Sequence, residues 1–199
     1  MTALASTFDK IYTDGTWGKD KDRLGYSGPG STLDATLEYR LFLGRLLSLL
    51  DIQSVVDAGC GDWTFSHEVG WGVATYKGFD ISRVAIEKAQ KYAVFASRTF
   101  EVADVTQPLP PADLLLCKDV LQHLPNSMVL DFIKNNLVPG KYKWAIITND
   151  KGGENRDIVA GDHRHLDLSL PPFNVRGLMD LGITFGVAGG KVSQLLFLG

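Results

Sequence analysis

Two glycines separated by one residue follow a short apolar run in this chain. The run Ser54 to Asp57 is rich in valine, and Gly59 and Gly61 come soon after it. Glycines at the carboxyl end of a first strand let the backbone approach a ligand closely, in the crevice where doubly wound sheets bind nucleotides. The segment predicts a site for an adenosine-type cofactor. A dinucleotide is disfavoured, because Thr64 stands where GxGxxG needs its third glycine.

Three aspartates stand at or near the ends of predicted strands. Asp57 would point its carboxylate into the crevice and accept hydrogen bonds from an ammonium group, directly or through water. Asp80 follows Gly61 by 19 residues, close to the spacing of about 20 at which an acid holds ribose hydroxyls. Asp104 could accept a hydrogen bond from an adenine amino group. Each acid could instead cap a helix, but together they favour a cofactor that carries an amino acid.

A sheet must bring these residues together, and strand and helix patterns alternate along the chain. Alternation of this kind implies a parallel sheet. Two later apolar runs flank Gly189 and Gly190 and predict an antiparallel pair at the sheet edge. The predicted strands are Ser54–Asp57, Tyr76–Phe79, Thr99–Val102, Asp113–Cys117, Tyr142–Thr148, Ile183–Val187 and Val192–Leu198.

Helix signals lie between these strands. Ser31, with Asp34 three positions later, resembles a capping box for a leucine-rich helix. Ser82 can cap a helix after the second strand, and Asn126 starts one before the fifth. Short helices are also predicted after the glycine turn and near residues 175–181.

The first 30 residues combine glycines with aromatic residues and show no sustained periodicity. We expect residues 1–30 to form an arm or lid and residues 31–199 a single domain. Trp17, Tyr26 and Ser27 could close over a bound cofactor, although Trp17 could equally anchor the arm to the body.

Composition narrows the class of protein. A chain of 199 residues with 45% hydrophobic and 22% charged residues is expected to fold as one domain. Its net charge of −3 offers no global attraction to nucleic acid or to an anionic membrane. The N-terminus lacks a secretory pattern, no apolar run is long enough to span a membrane, and only two cysteines occur, so we expect a cytoplasmic protein. The histidines and acids show no strong metal-ligand spacing, so no metal is expected.

Four segments, VVDAGCGD, GFDIS, VADVT and CKDVLQHL, resemble in order and spacing the cofactor motifs of class I S-adenosylmethionine-dependent methyltransferases. The resemblance implies an α/β, Rossmann-like, doubly wound fold with a mostly parallel seven-stranded sheet and an antiparallel C-terminal strand pair. It also implies S-adenosylmethionine as cofactor. By this resemblance the methionine end is held by Asp57, Gly59 and Gly61, the ribose by Asp80 with Ile81, the adenine by Asp104 and Val105, and the floor near the methyl group by Lys118 with Asp119.

The acceptor side is less defined. His123 is our first candidate for a general base and Asp150 the second, and a base is needed only if the acceptor is protonated. His123 could equally be a hydrogen-bonded wall residue. Asn149, at the end of the fifth strand, and Arg164, in the polar loop of residues 151–173, are candidates for acceptor binding.

We therefore expect a methyltransferase that acts on an oxygen or nitrogen of a small molecule. Alternatives are a nucleic-acid or protein methyltransferase, a nicotinamide oxidoreductase, and a non-catalytic protein that binds S-adenosylmethionine. The negative net charge, and CKDV in place of a DPPY-like tetrad, argue against methylation of a base amino group. The sequence does not determine the acceptor or the oligomeric state.

Overall fold

The computed structural model describes residues 2–19, 25–93, 95–185 and 190–199. Seven strands form one sheet in the order β3-β2-β1-β4-β5-β7-β6. Strands β1 to β5 pair in parallel, and β7 runs antiparallel to both β5 and β6. The predicted fold class is confirmed. The strands are β1 (Ser54–Ala58), β2 (Thr75–Asp80), β3 (Arg98–Val102), β4 (Ala112–Lys118), β5 (Tyr142–Asp150), β6 (Met179–Phe185) and β7 (Lys191–Phe197).

Helices cover both faces of the sheet. Helices α2 (Leu37–Leu49) and α3 (Arg83–Ala89) pack into one core, and α1 (Ala3–Asp14) and α4 (Asn126–Asn136) pack into the other. The central strands β1 and β4 contribute side chains to both cores, which is why Val55–Val56 and Leu114–Cys117 are runs of consecutive apolar residues.

The strand order reverses between β2-β1 and β4-β5, so the crevice of the sheet opens at the carboxyl ends of β1 and β4. In the register, Asp57 lies beside Gly78 of β2 and beside Leu116 of β4. The ends of β1, β2 and β4 therefore meet at one edge, where Asp57, Asp80 and Lys118 stand.

Several expected elements form as predicted. Ser82 caps α3, since its side chain accepts a hydrogen bond from the backbone N–H of Ala85 at 3.2 Å. Helix α4 begins at Asn126. The expected turn between the last two strands lies mostly outside the described residues, which resume at Gly190, and so does the end of the strand expected at residues 183–187.

Expectations about individual helices were wrong in three places. Residues 1–30, in which no helix was predicted, contain a full helix, α1, whose buried Phe8, Ile11 and Tyr12 recur at helical spacing. Helix α2 begins at Leu37, because the Ser31 hydroxyl donates to the carbonyl of Ser27 and caps no helix. The segment after the glycine turn holds only a 3-10 helix at Ser66–Glu68, and no helix forms at the described residues 175–181, where β6 begins.

Candidate functional site

One cavity lies at the carboxyl ends of β1, β2 and β4. It encloses about 960 Å³, counted with its opening to solvent. Its wall includes every residue predicted to bind the cofactor, together with His123 from the segment after β4. The predicted residues that line it are Asp57, Gly59, Gly61, Asp80, Ile81, Asp104, Val105 and Lys118.

The glycine turn needs residues without side chains at two positions. Gly59 has a φ of 85°, and a Cβ there would lie 2.2 Å from Cγ2 of Val120. Gly61 has a φ of 58°, and a Cβ there would lie 2.4 Å from the hydroxyl oxygen of Ser27. Both the backbone conformation and the crowding favour glycine, and the turn leaves bare main chain on the cavity.

Two buried carboxylates flank this turn. Tyr76 donates a hydrogen bond from Oη to Oδ2 of Asp57 at 2.5 Å. Asp80 accepts hydrogen bonds from the backbone N–H groups of Gly61 at 3.0 Å and Ser82 at 2.8 Å. Burial removes water from both carboxylates and raises the pKa of Asp57 to about 7 and the pKa of Asp80 to about 6. A cationic ligand would favour the ionised form of both carboxylates, because it would compensate their negative charge.

The charged residues of the cavity wall are predominantly acidic. Among the described residues that line it, Lys118 is the one lysine or arginine, and Asp119 beside it pairs with Lys118 at 2.5 Å and with Lys191 at 2.7 Å. These two ammonium groups keep the pKa of Asp119 low although burial opposes them. The lining acids are Asp57, Asp62, Asp80, Asp104 and Asp119. Such a site suits a ligand with net positive charge.

A hydrogen bond determines which ring nitrogen of His123 carries the proton. Its Nδ1 lies 2.8 Å from the carbonyl oxygen of Asp162. Because a carbonyl can only accept, Nδ1 carries the proton and Nε2 of the neutral ring is free to accept one. Burial, as the largest cause, lowers the pKa of His123 below 6.5. Its ring also contacts that of Trp17, with centroids 4.8 Å apart. A neutral imidazole fixed in this way can act as a general base.

The acceptor candidates at the end of β5 and in the polar loop do not line the cavity. Asp150 is engaged by His163 at 2.9 Å and by Lys191 at 3.4 Å, so it connects the polar loop to Asp119 through Lys191. Asn149 is only 3% exposed.

Arg164 is 1% exposed, and the structure does not place it where it could contact an acceptor. Its guanidinium donates to the carbonyls of Leu124 at 2.7 Å and Arg156 at 2.5 Å, and to the side chain of Asn126. We therefore interpret Arg164 as an anchor that holds the polar loop to the start of α4.

Residues of the segment expected to form the arm also line the cavity. Ser27 donates from its backbone N–H and its hydroxyl to the two oxygens of Asp62, at 3.1 and 2.9 Å, and Tyr12 bonds the same hydroxyl at 2.8 Å. Asp9 accepts from the Ser82 hydroxyl at 2.8 Å and so ties α1 to α3. The sequence reading missed α1, which lines the cavity with Leu4, Phe8 and Tyr12.

The described residues contain no group of three or more His, Cys, Asp or Glu side chains that could hold a metal ion. Within the same ranges, no helix is long and apolar enough to cross a membrane.

Comparison with known proteins finds one matching domain family and several similar folds. The model of a family described as "Methyltransferase domain" matches residues 51–146, and no curated protein matches the chain. A solved structure of magnesium protoporphyrin IX methyltransferase from Synechocystis PCC 6803 with bound SAM is similar, with a TM-score of 0.66 and 17% identity over 98% of this chain and 96% of that chain.

Two further solved structures are similar at lower identity. The methyltransferase domain of bacterial CtHen1 has a TM-score of 0.64 and 12% identity, over 82% of this chain and all of that chain. Mitomycin 7-O-methyltransferase has a TM-score of 0.60 and 12% identity, over 80% of this chain and 54% of that chain. At these identities the likeness to solved structures concerns the fold alone.

Proposed function

We propose that this chain, a class I S-adenosylmethionine-dependent methyltransferase, transfers the methyl group to an oxygen or nitrogen atom of a small-molecule acceptor. One observation supports it most: a single cavity gathers the carboxylates at the ends of β1 and β2 around a turn in which Gly59 and Gly61 have no side chains. The cofactor has a sulfonium and an ammonium group, so its charge complements this acidic wall.

The residues of the cavity divide among the parts of the cofactor. In this proposal Asp57 and the backbone of Gly59 and Gly61 hold the methionine end. Asp80, with Ile81, holds the ribose, and Asp104, with Val105, holds the adenine. When bound, the cofactor supplies a methyl group on a sulfonium, which is already a good electrophile, so the protein's main task is to align the acceptor with it.

The surroundings of the cavity favour a small acceptor. The arm covers the glycine turn through Ser27, which limits access from that side. The two lysines nearest the floor, Lys118 and Lys191, are both paired with carboxylates. They are therefore less available for phosphate groups than the free basic residues of a nucleic-acid site. The name of one structural neighbour, mitomycin 7-O-methyltransferase, states that an oxygen atom of mitomycin is methylated.

His123 is the residue we propose as general base. Its free Nε2 can take a proton from an acceptor hydroxyl or amine as the bond to the methyl group forms. We propose a supporting role for Asp150, which holds His163 and Lys191 and has no oxygen on the cavity.

The test is to incubate the purified chain with S-adenosylmethionine and separate panels of phenols, carboxylic acids and amines, followed by mass spectrometry. We expect S-adenosylhomocysteine and a methylated acceptor in equal amounts. An RNA preparation and a protein extract serve as competing acceptors. Product with either of these alone would contradict a small-molecule acceptor, and cofactor binding without product from any panel would indicate a non-catalytic protein.

A further inference from the structure

Tyr76 does not line the cavity, but it contacts Asp57, which does. It is 1% exposed and stands on β2, two residues before Gly78, the register partner of Asp57. Alternation along the strand places Tyr76 and Gly78 on the same face of the sheet. A Cβ at Gly78 would lie 2.8 Å from both Sγ of Cys60 and Cδ1 of Phe100, so glycine is needed there. On this crowded face the Tyr76 hydroxyl bonds the Asp57 carboxylate at 2.5 Å.

The ring of Tyr76 is fixed in this position. Trp71, Trp63 and Phe100 surround it, with ring centroids at 4.7, 5.4 and 5.8 Å. A buried hydroxyl costs free energy unless it has a partner. Among these aromatic rings the partner of the Tyr76 hydroxyl is the carboxylate of Asp57. The fixed ring therefore directs one hydrogen bond from Tyr76 to that carboxylate.

Several titratable groups face Asp57 from the elements around it. Asp80, at the end of β2, disfavours the charged form of Asp57, and Lys118 favours it. Burial raises the pKa of the tyrosine and cysteine groups nearby well above neutrality, so these stay uncharged. They are Tyr39 on α2, Cys60 in the glycine turn, Tyr76 on β2 and Cys117 on β4. In the described chain, Tyr76 is the residue whose side chain donates a hydrogen bond to the Asp57 carboxylate.

We propose that Tyr76 is a positioning residue for the methyl donor: its hydroxyl orients the Asp57 carboxylate and favours its ionised form, which receives the ammonium group of the cofactor. This rests on the proposed function, in which Asp57 holds the methionine end. Tyr76 lies outside the cavity wall and acts on the cofactor only through Asp57.

The test compares the wild type with Tyr76→Phe by calorimetric titration with S-adenosylmethionine between pH 6 and 9. We use the ratio of the two dissociation constants, because titration of the ligand cancels in it. A hydrogen bond to a charged group is worth enough for a ratio of about tenfold at pH 6 to 7. The ratio should fall to a smaller, constant value by pH 9, where Asp57 ionises without help and only the orienting effect of Tyr76 remains. Tyr142→Phe is the matched control, because it removes another buried tyrosine hydroxyl, one that has no hydrogen bond.

Each outcome decides the proposal. A ratio near one at pH 7, or a weakening that is the same at every pH, would overturn it. If Tyr76→Phe does not fold, Asp57→Asn replaces it: the ratio of its dissociation constant to that of the wild type should rise from pH 6 to pH 9, because only the wild type gains a carboxylate, and a constant ratio would contradict the proposal. Failure of the wild type to bind at any pH would count against the proposed function instead.

Discussion

His123 is held by contacts that determine which ring nitrogen can accept a proton. We predict that His123→Ala lowers turnover by about 10²- to 10⁴-fold, the usual contribution of a general base, and leaves cofactor affinity unchanged. Stopped assays with the identified acceptor, together with calorimetry for the cofactor, measure the two effects. Since burial lowers the pKa of His123, the wild-type rate should decline only as the pH falls below 6.5.

His165→Ala is the matched control for this prediction, because His165 is exposed and its ring lies 6.0 Å from that of His163. It should keep wild-type activity. Full activity in His123→Ala as well would reduce His123 to a wall residue that supports Trp17.

Arg164 carries a prediction about stability. Arg164→Met would leave three oxygens without their donor: the buried carbonyl of Leu124, and the part-buried carbonyl of Arg156 and side chain of Asn126. At 1–3 kcal/mol for a buried unsatisfied group and less for a part-buried one, we expect a loss of about 3 kcal/mol in the free energy of unfolding. Chemical denaturation measures it. Arg176→Ala, at an exposed arginine, should change stability by less than about 0.5 kcal/mol, and an equal loss in the two variants would contradict the anchoring role.

Single residues could be predicted from sequence where a local pattern determines them. Asp57, Gly61 and Asp80 stand next to strand ends that the sequence marks, and the cavity brings all three together. Lys191 could not be found in this way. It reaches Asp150 and Asp119 because β7 pairs with β5 in a register that sets Lys191 opposite Asp150, and no local pattern encodes a register between distant strands.

The arm is the element whose role is most open to test. Ser27→Ala removes the hydroxyl that contacts Asp62 and Tyr12 and should loosen the cover over the glycine turn. We predict weaker binding of S-adenosylmethionine by about threefold to tenfold, as expected for one or two hydrogen bonds. Calorimetry measures it, and Thr13→Ala, at an exposed hydroxyl of α1, is the control. Unchanged affinity in Ser27→Ala would mean that the arm only packs against the body.

Strands were easier to predict than helices in this chain. The runs Val55–Val56 of β1 and Leu114–Cys117 of β4 are apolar without interruption and are followed at once by charged residues, so the positions of these buried strands are evident in the sequence. Helix α1 was missed because polar residues separate its few buried side chains. The residues expected to form a helix at 175–181 begin an edge strand instead, because pairing with β7 outweighs the local helical pattern.

The charge of the whole cavity leads to a prediction about ligand preference. S-adenosylmethionine has one more positive charge than S-adenosylhomocysteine, so the acidic wall should bind the former more tightly. Between pH 8 and 5.5, Asp57 and Asp80 take up protons at pKa values of about 7 and 6, and the preference should shrink as the pH falls. Calorimetry with both ligands measures it. Asp57→Asn should reduce the preference at pH 8, and equal affinity of the wild type for both ligands would contradict the electrostatic account.

The arm touches two parts of the molecule at once. Ser27 rests on the glycine turn, while Trp17, ten residues earlier in the chain, contacts the ring of His123. In the proposed function, these two contacts place the arm against both the turn that would hold the donor and the ring that would accept the proton. From this joint contact we predict compulsory-order kinetics, in which the donor binds first and the spent nucleoside departs last. Turnover would then be timed by the lifting of the arm, and a pre-steady-state burst of methylated product would be its kinetic signature.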